Sequence, residues 1–173
     1  MGRKTSFVST RLTLVLLCSL ALAPAALAAS STTGDGVLEL KDVNATRVSI
    51  TGQRGAIWGQ IDRGTLKVID LNPDDNLNAY VSGGIIVSDP DPTVTIYTGK
   101  NIHFRFIGGK YRFVITTASG IDVTAVGVGQ AYLTGDPAAL DTGAYAVDDG
   151  KWQDVPLLRK FVPFGTPQPV TTP

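Results

Sequence analysis

From Val37 to about Val155 the chain runs in short stretches of alternating apolar and polar residues, broken by turn residues every 8 to 12 positions. No stretch in that span sustains the i, i+3, i+4, i+7 apolar spacing of an amphipathic helix. Period-two alternation puts one side of a strand on a core and the other toward water. The pattern predicts an all-β fold, an antiparallel β-sandwich or flattened barrel of about 11–13 short strands. The expected strands are 37–40, 47–51, 56–61, 65–71, 77–81, 85–88, 93–98, 101–107, 110–116, 121–126, 130–134, 143–147 and 151–155.

Two hairpins follow from turn chemistry. Gly108-Gly109 reads as a two-residue turn within 101–116. Pairing outward sets Phe106 against Tyr111, Phe104 against Phe113 and Ile102 against Ile115, all on a core face. The other face then holds Arg105 across from Arg112 and His103 across from Val114. Asp149-Gly150 reads as a second turn, with Asp148 against Lys151, Val147 against Trp152 and Ala144 against Val155. A third turn is expected at Asp62-Arg63-Gly64. Val48-Ser49-Ile50-Thr51-Gly52 and Ala131-Tyr132-Leu133-Thr134-Gly135 echo one another, as two similar β segments do by composition.

The ends break the alternation. Arg3, Lys4 and Arg11 precede or open an apolar run over Leu12–Leu22, and Ala26-Leu27-Ala28 forms an A-x-A-like site. Residues 1–28 therefore read as an export signal, which places the chain outside the cytoplasm, secreted or at the cell envelope. The run is shorter than the roughly 20 apolar residues of a spanning helix, so no stable membrane span is expected once the signal is cleaved. Residues 29–36 read as a flexible lead-in, 37–162 as the β domain and 163–173 as a Pro/Thr-rich disordered tail.

Composition narrows the chemistry. The full chain has 15 basic and 15 acidic residues. Removing Arg3, Lys4 and Arg11 leaves 12 against 15, a net of −3, which argues against nucleic acid as a partner. Glu39 is the only glutamate. Cys18 lies in the signal, so the exported domain has no disulfide and rests on core packing. One histidine and no cysteine make a zinc or copper site improbable, and the sequence implies no cofactor.

His103 could serve a catalytic triad with Ser82, Ser88 or Ser119, but no Gly-x-Ser-x-Gly elbow is present. Asp70-Leu-Asn-Pro-Asp-Asp-Asn-Leu-Asn78 spaces oxygen ligands like the start of a calcium loop. Pro73 interrupts it, the sixth position lacks Gly, and Val81 stands where a bidentate Glu belongs. Arg105 opposite Arg112 would repel and so calls for an acidic neighbour, such as Asp122, or an anionic ligand. His103 and Lys110 would extend such a patch, and Trp58 and Trp152 could add sugar-stacking surfaces.

Gly120-Ile-Asp-Val-Thr-Ala-Val-Gly-Val-Gly-Gln-Ala-Tyr-Leu-Thr-Gly135, followed by Asp141-Thr-Gly-Ala-Tyr-Ala-Val147, resembles stretches of uncharacterised secreted β-proteins of high-GC Gram-positive bacteria. The resemblance implies no particular activity. The reading of the residues favours a non-enzymatic module that binds a polysaccharide or an acidic cell-envelope polymer, or has a structural role there. A secreted Asp-dependent hydrolase and a calcium-stabilised adhesin-like domain are the alternatives.

Overall fold

The computed structural model describes residues 34–75 and 77–166. The segment expected to be an export signal, most of the expected lead-in, Asn76 and residues 167–173 lie outside the described residues. The described chain is all-β, in seven elements: β1 (Gly36–Asp70), β2 (Asn78–Asp91), β3 (Val94–Ile107), β4 (Tyr111–Gly135), β5 (Ala144–Val147), β6 (Gln153–Asp154) and β7 (Lys160–Phe164). All pairings are antiparallel, in the order β2-β3-β1-β4-β7, with β5 on β1 and β6 on β5. The sheet is not closed into a barrel.

The expected short strands are largely present, but joined end to end. The reason is a crease. Asp42, Gly64, Gly83, Asn101, Thr117 and Gly120 all have positive φ, and each lies near the middle of a long paired segment. Residues there turn the strand without ending its ladder. Gly64 pairs with Gly99, and Gly84 with Lys100, so the bends line up from strand to strand. Asp62-Arg63-Gly64 is thus a corner, since 56–61 and 65–70 share the same neighbours on either side of it.

The crease divides the sheet into two leaves. One, the Trp58 leaf, runs 144–147, 36–40, 121–127, 56–61, 102–107, 78–82. The other, the Arg112 leaf, runs 160–164, 129–135, 45–52, 111–118, 65–70, 94–98, 85–88. Their inner faces form one core. Leu38, Ile57, Ile61, Ile102 and Ile121 enter it from the first leaf, and Ile50, Leu66, Phe113, Ile115 and Leu133 from the second. Fully burying a side chain of this size is worth about 1.5–3 kcal/mol, which a disulfide-free domain of this length requires. Phe113 stacks on Phe104 at 5.9 Å and meets Phe106 edge-on at 4.7 Å, so aromatic rings lock the leaves together.

Two expected pairings are corrected. Segments 102–107 and 111–118 do not pair with each other: the first lies between β1 and β2, the second between two stretches of β1. Gly108-Gly109 carries the chain from leaf to leaf, and Phe104 and Phe113 meet across the core instead of along a ladder. In the second hairpin Ala144 pairs with Asp154 and Tyr145 with Gln153, one residue from the expected register. Asp148 and Asp149 both have positive φ, and Gly150 N–H donates to the Val147 carbonyl at 2.8 Å, so the turn takes three residues.

The echoing segments 48–52 and 131–135 are neighbours: Val48 pairs with Leu133 and Ile50 with Ala131. The ordered sheet also passes the expected start of the tail, because Val162 and Phe164 of β7 are buried. At the other end Asp35 pairs with Arg54 at 2.7 Å, and Thr166 N–H donates to the Gly34 carbonyl at 2.6 Å. No helix among the described residues is long and apolar enough to cross a membrane.

Candidate functional site

Strand alternation turns Trp58, Gln60, His103, Arg105, Asp122 and Thr124 to the outer face of the Trp58 leaf, because Ile57, Ile61, Ile102, Phe104, Phe106, Ile121 and Val123 face the core. Register then arranges them in rows across the strands. Tyr80 pairs with Arg105, Arg105 with Trp58, and Trp58 with Thr124. The next row runs Ser82, His103, Gln60, Asp122. Directly opposed side chains on one face sit about 4.5–5.5 Å apart at Cβ, so each row is a contiguous surface.

Apart from Ser82, these rows line a groove of about 860 Å³, together with Gly59, Ile107 and Asn78. Gly59 pairs with Phe104 and Val123 on the core side, and a Cβ there would press on the Asp122 backbone carbonyl, so glycine lets the two strands lie close beneath the groove. Tyr80 is 63% exposed and Trp58 half-buried, so two aromatic side chains flank Arg105 in register. Asp122 is held in place. Its Oδ2 accepts from Gln60 Nε2 at 2.9 Å, and its Oδ1 accepts from the backbone N–H of the crease residue Asp42 at 2.8 Å.

Comparison with known proteins found no matching family model, no matching curated protein and no matching solved structure.

The sequence-derived site residues separate into four places. Trp58, Arg105 and His103 share the groove. Arg112 does not face Arg105. It pairs with Thr51 and Ile69 on the outer face of the Arg112 leaf, where its Nε donates to Thr51 Oγ1 at 3.3 Å. The expected Arg105–Arg112 repulsion is thereby removed. Lys110 and Trp152 lie outside the groove as well: Lys110 lies beside the Gly108-Gly109 link, and Trp152 is 49% exposed near β6.

Gln60 and Asp122 belong to the groove without having been singled out as ligand contacts. Alternation marks each of them as outward-facing, but only the pairing of β1 with β3 and β4 brings them together. Ser82 lies opposite His103, yet no hydrogen bond joins them, and the next residue in the row is Gln60. Among the residues lining the groove Asp122 is the one carboxylate; Glu39 is its diagonal neighbour in register but lies outside the lining.

The oxygen-rich 70–78 loop is tied to itself. Asp70 Oδ1 accepts from Asn72 N–H at 2.9 Å, and Asp75 Oδ2 accepts from Asn72 Nδ2 and from Lys110 N–H at 3.1 and 3.0 Å. Such bonds close turns. Among the described residues no three His, Cys, Asp or Glu side chains are grouped to hold a metal ion.

Proposed function

We propose that this chain is an exported, non-enzymatic binding module of the cell envelope that takes a glycan in the groove of its Trp58 leaf. One observation carries the reading: the transverse row Tyr80–Arg105–Trp58 along the groove. Aromatic faces pack against the apolar face of a sugar ring, and a guanidinium between them offers a fork to a carboxylate or hydroxyl pair. His103, Gln60 and Asp122 supply the polar second row that fixes a ligand's orientation. Carbohydrate sites on β-sheet faces need area and polar edges more than depth, and an open groove of about 860 Å³ has both. The amino-terminal signal pattern supports the location, and an envelope polysaccharide, acidic where it meets Arg105, is the proposed partner.

Trp58 is itself a reporter. In a Trp152→Phe background its emission should quench or shift on titration with an acidic oligosaccharide such as oligogalacturonate. Arg105→Ala should weaken that titration about tenfold, as expected for one charge-assisted hydrogen bond. An emission unchanged at saturating neutral and acidic oligosaccharides would reject the reading.

A further inference from the structure

The displaced Arg112 belongs to a second constellation. On the outer face of the Arg112 leaf, Arg47, Lys67 and Arg112 line a separate groove of about 290 Å³ with Thr65, Thr116, Ile69, Ile96 and Val114. Register explains the grouping. Arg47 and Thr65 both pair with Thr116, Lys67 pairs with Val114, and Ile69 pairs with Arg112. Three cations thus come from three adjacent strands. None of the residues lining this groove is a carboxylate; along the row of Arg112 the first acid is Asp91, reached only beyond Ile69 and Val94. None of the three cations forms an ion pair with a described residue. The apolar floor is tightly covered, since Val114 is buried although it points away from the core.

Like charges on one sheet face repel unless something answers them. A chain whose exported form carries a net of −3 has acids to spare, yet places none here. We propose that this groove is an oxyanion site for an anionic carbohydrate polymer, which it grips by carboxylate or sulfate-ester groups. Two guanidinium forks give bidentate contacts, Lys67 gives a mobile point charge between them, and the Thr116 hydroxyl, beside the hydrogen-bonded Thr65–Thr98 hydroxyl pair, completes the donor set. The inference does not rest on the Trp58 groove, which lies on the other leaf.

The test is retention of the purified protein on immobilised polygalacturonate and, separately, on immobilised dextran sulfate, across a salt gradient. Arg47→Ala/Lys67→Ala/Arg112→Ala should weaken retention at least about tenfold and flatten its salt dependence. The control Lys41→Ala/Lys100→Ala/Lys151→Ala removes the same charge from exposed positions elsewhere and should change retention less than about threefold. Retention on polygalacturonate alone assigns carboxylate, and on dextran sulfate alone assigns sulfate ester; either supports the site. If the triple variant does not fold, Lys67→Glu puts an anion in the groove's centre and should produce the same loss. Failure of the unaltered protein to bind either resin, unchanged retention of the groove variant, or an equal loss in the control overturns the proposal. Trp58 emission reads the other groove independently: its titration should survive in the Arg47/Lys67/Arg112 variant.

Discussion

Tyr111 is fully buried, and its hydroxyl has no hydrogen-bond partner. A buried unpaired hydroxyl costs about 1–3 kcal/mol. Tyr111→Phe is therefore expected to stabilise the fold by about 1 kcal/mol at neutral pH, measured by urea unfolding. Burial also raises the Tyr111 pKa above that of a free phenol. Below about pH 10 the phenol is protonated in both folded and unfolded chains, so it adds no pH dependence. Above that, the unfolded chain releases its proton while the folded one keeps it, and stability falls as pH rises. The Phe variant should lose that share of the alkaline decline; an unaltered alkaline profile would count against the assignment. Phe113, whose ring touches Phe104, Phe106 and Tyr111, has no substitute in the core. Phe113→Ala should cost about 3–5 kcal/mol in the same assay.

At the scale of the strand, the crease decides what could be read from the chain. Alternation is a local property, and it sorted Ile57 from Trp58, Phe104 from His103 and Phe113 from Arg112 without any knowledge of partners. Pairing is not local. Phe104 faces Phe113 whether 101–116 folds as a hairpin or arches from leaf to leaf, because both solutions put the same residues inward. The outward residues differ: the hairpin sets Arg105 on Arg112, the arch gives Arg105 to Trp58 and Tyr80. The core was therefore legible and the groove was not. The available signal was a residue tolerant of positive φ inside an otherwise continuous strand pattern, as at Gly64, Gly83 and Asn101. Gly64 shows what the crease demands. Its φ is 153°, and an added Cβ would lie 2.5 Å from that of Ala118. Gly64→Ala should destabilise by about 1–3 kcal/mol, seen as a lower thermal midpoint, with the outward-facing groove residues untouched.

For the whole molecule, folding one sheet over on itself makes two outer faces that look in opposite directions and differ in chemistry. One carries aromatic rings and a single cation beside Asp122; the other carries three cations and hydroxyls. The edges differ as well. β7 is short, with Lys160 and Pro163, whereas β2 is longer and exposes Tyr80, Ile86 and Val87 before Asp89 and Pro90 interrupt it. Charge and proline blunt an edge against further pairing, and β2 has them only at its end. Ile86 is 76% exposed, so Ile86→Lys should reduce concentration-dependent association in light scattering while leaving the urea midpoint within about 0.5 kcal/mol.

Two grooves on opposite leaves also have a consequence that neither has alone. A ligand segment short enough to lie in one groove cannot round the molecule to reach the other, so a single protein holding both must bridge two polymer segments. Bridging is multivalent: it requires both sites on one molecule and builds no network at either extreme, because excess polymer leaves too few bridges per chain and excess protein covers each segment with a separate molecule. Mixed with polygalacturonate, the unaltered protein should scatter light most at an intermediate protein-to-polymer ratio. Trp58→Ala/Arg105→Ala and Arg47→Ala/Lys67→Ala/Arg112→Ala should each abolish that maximum while still binding through the remaining groove. Self-association through β2 would also scatter, but it would grow with protein concentration without polymer and would be removed by Ile86→Lys, which leaves both grooves in place. A maximum that survives either groove variant would mean that the two faces do not act as separate sites.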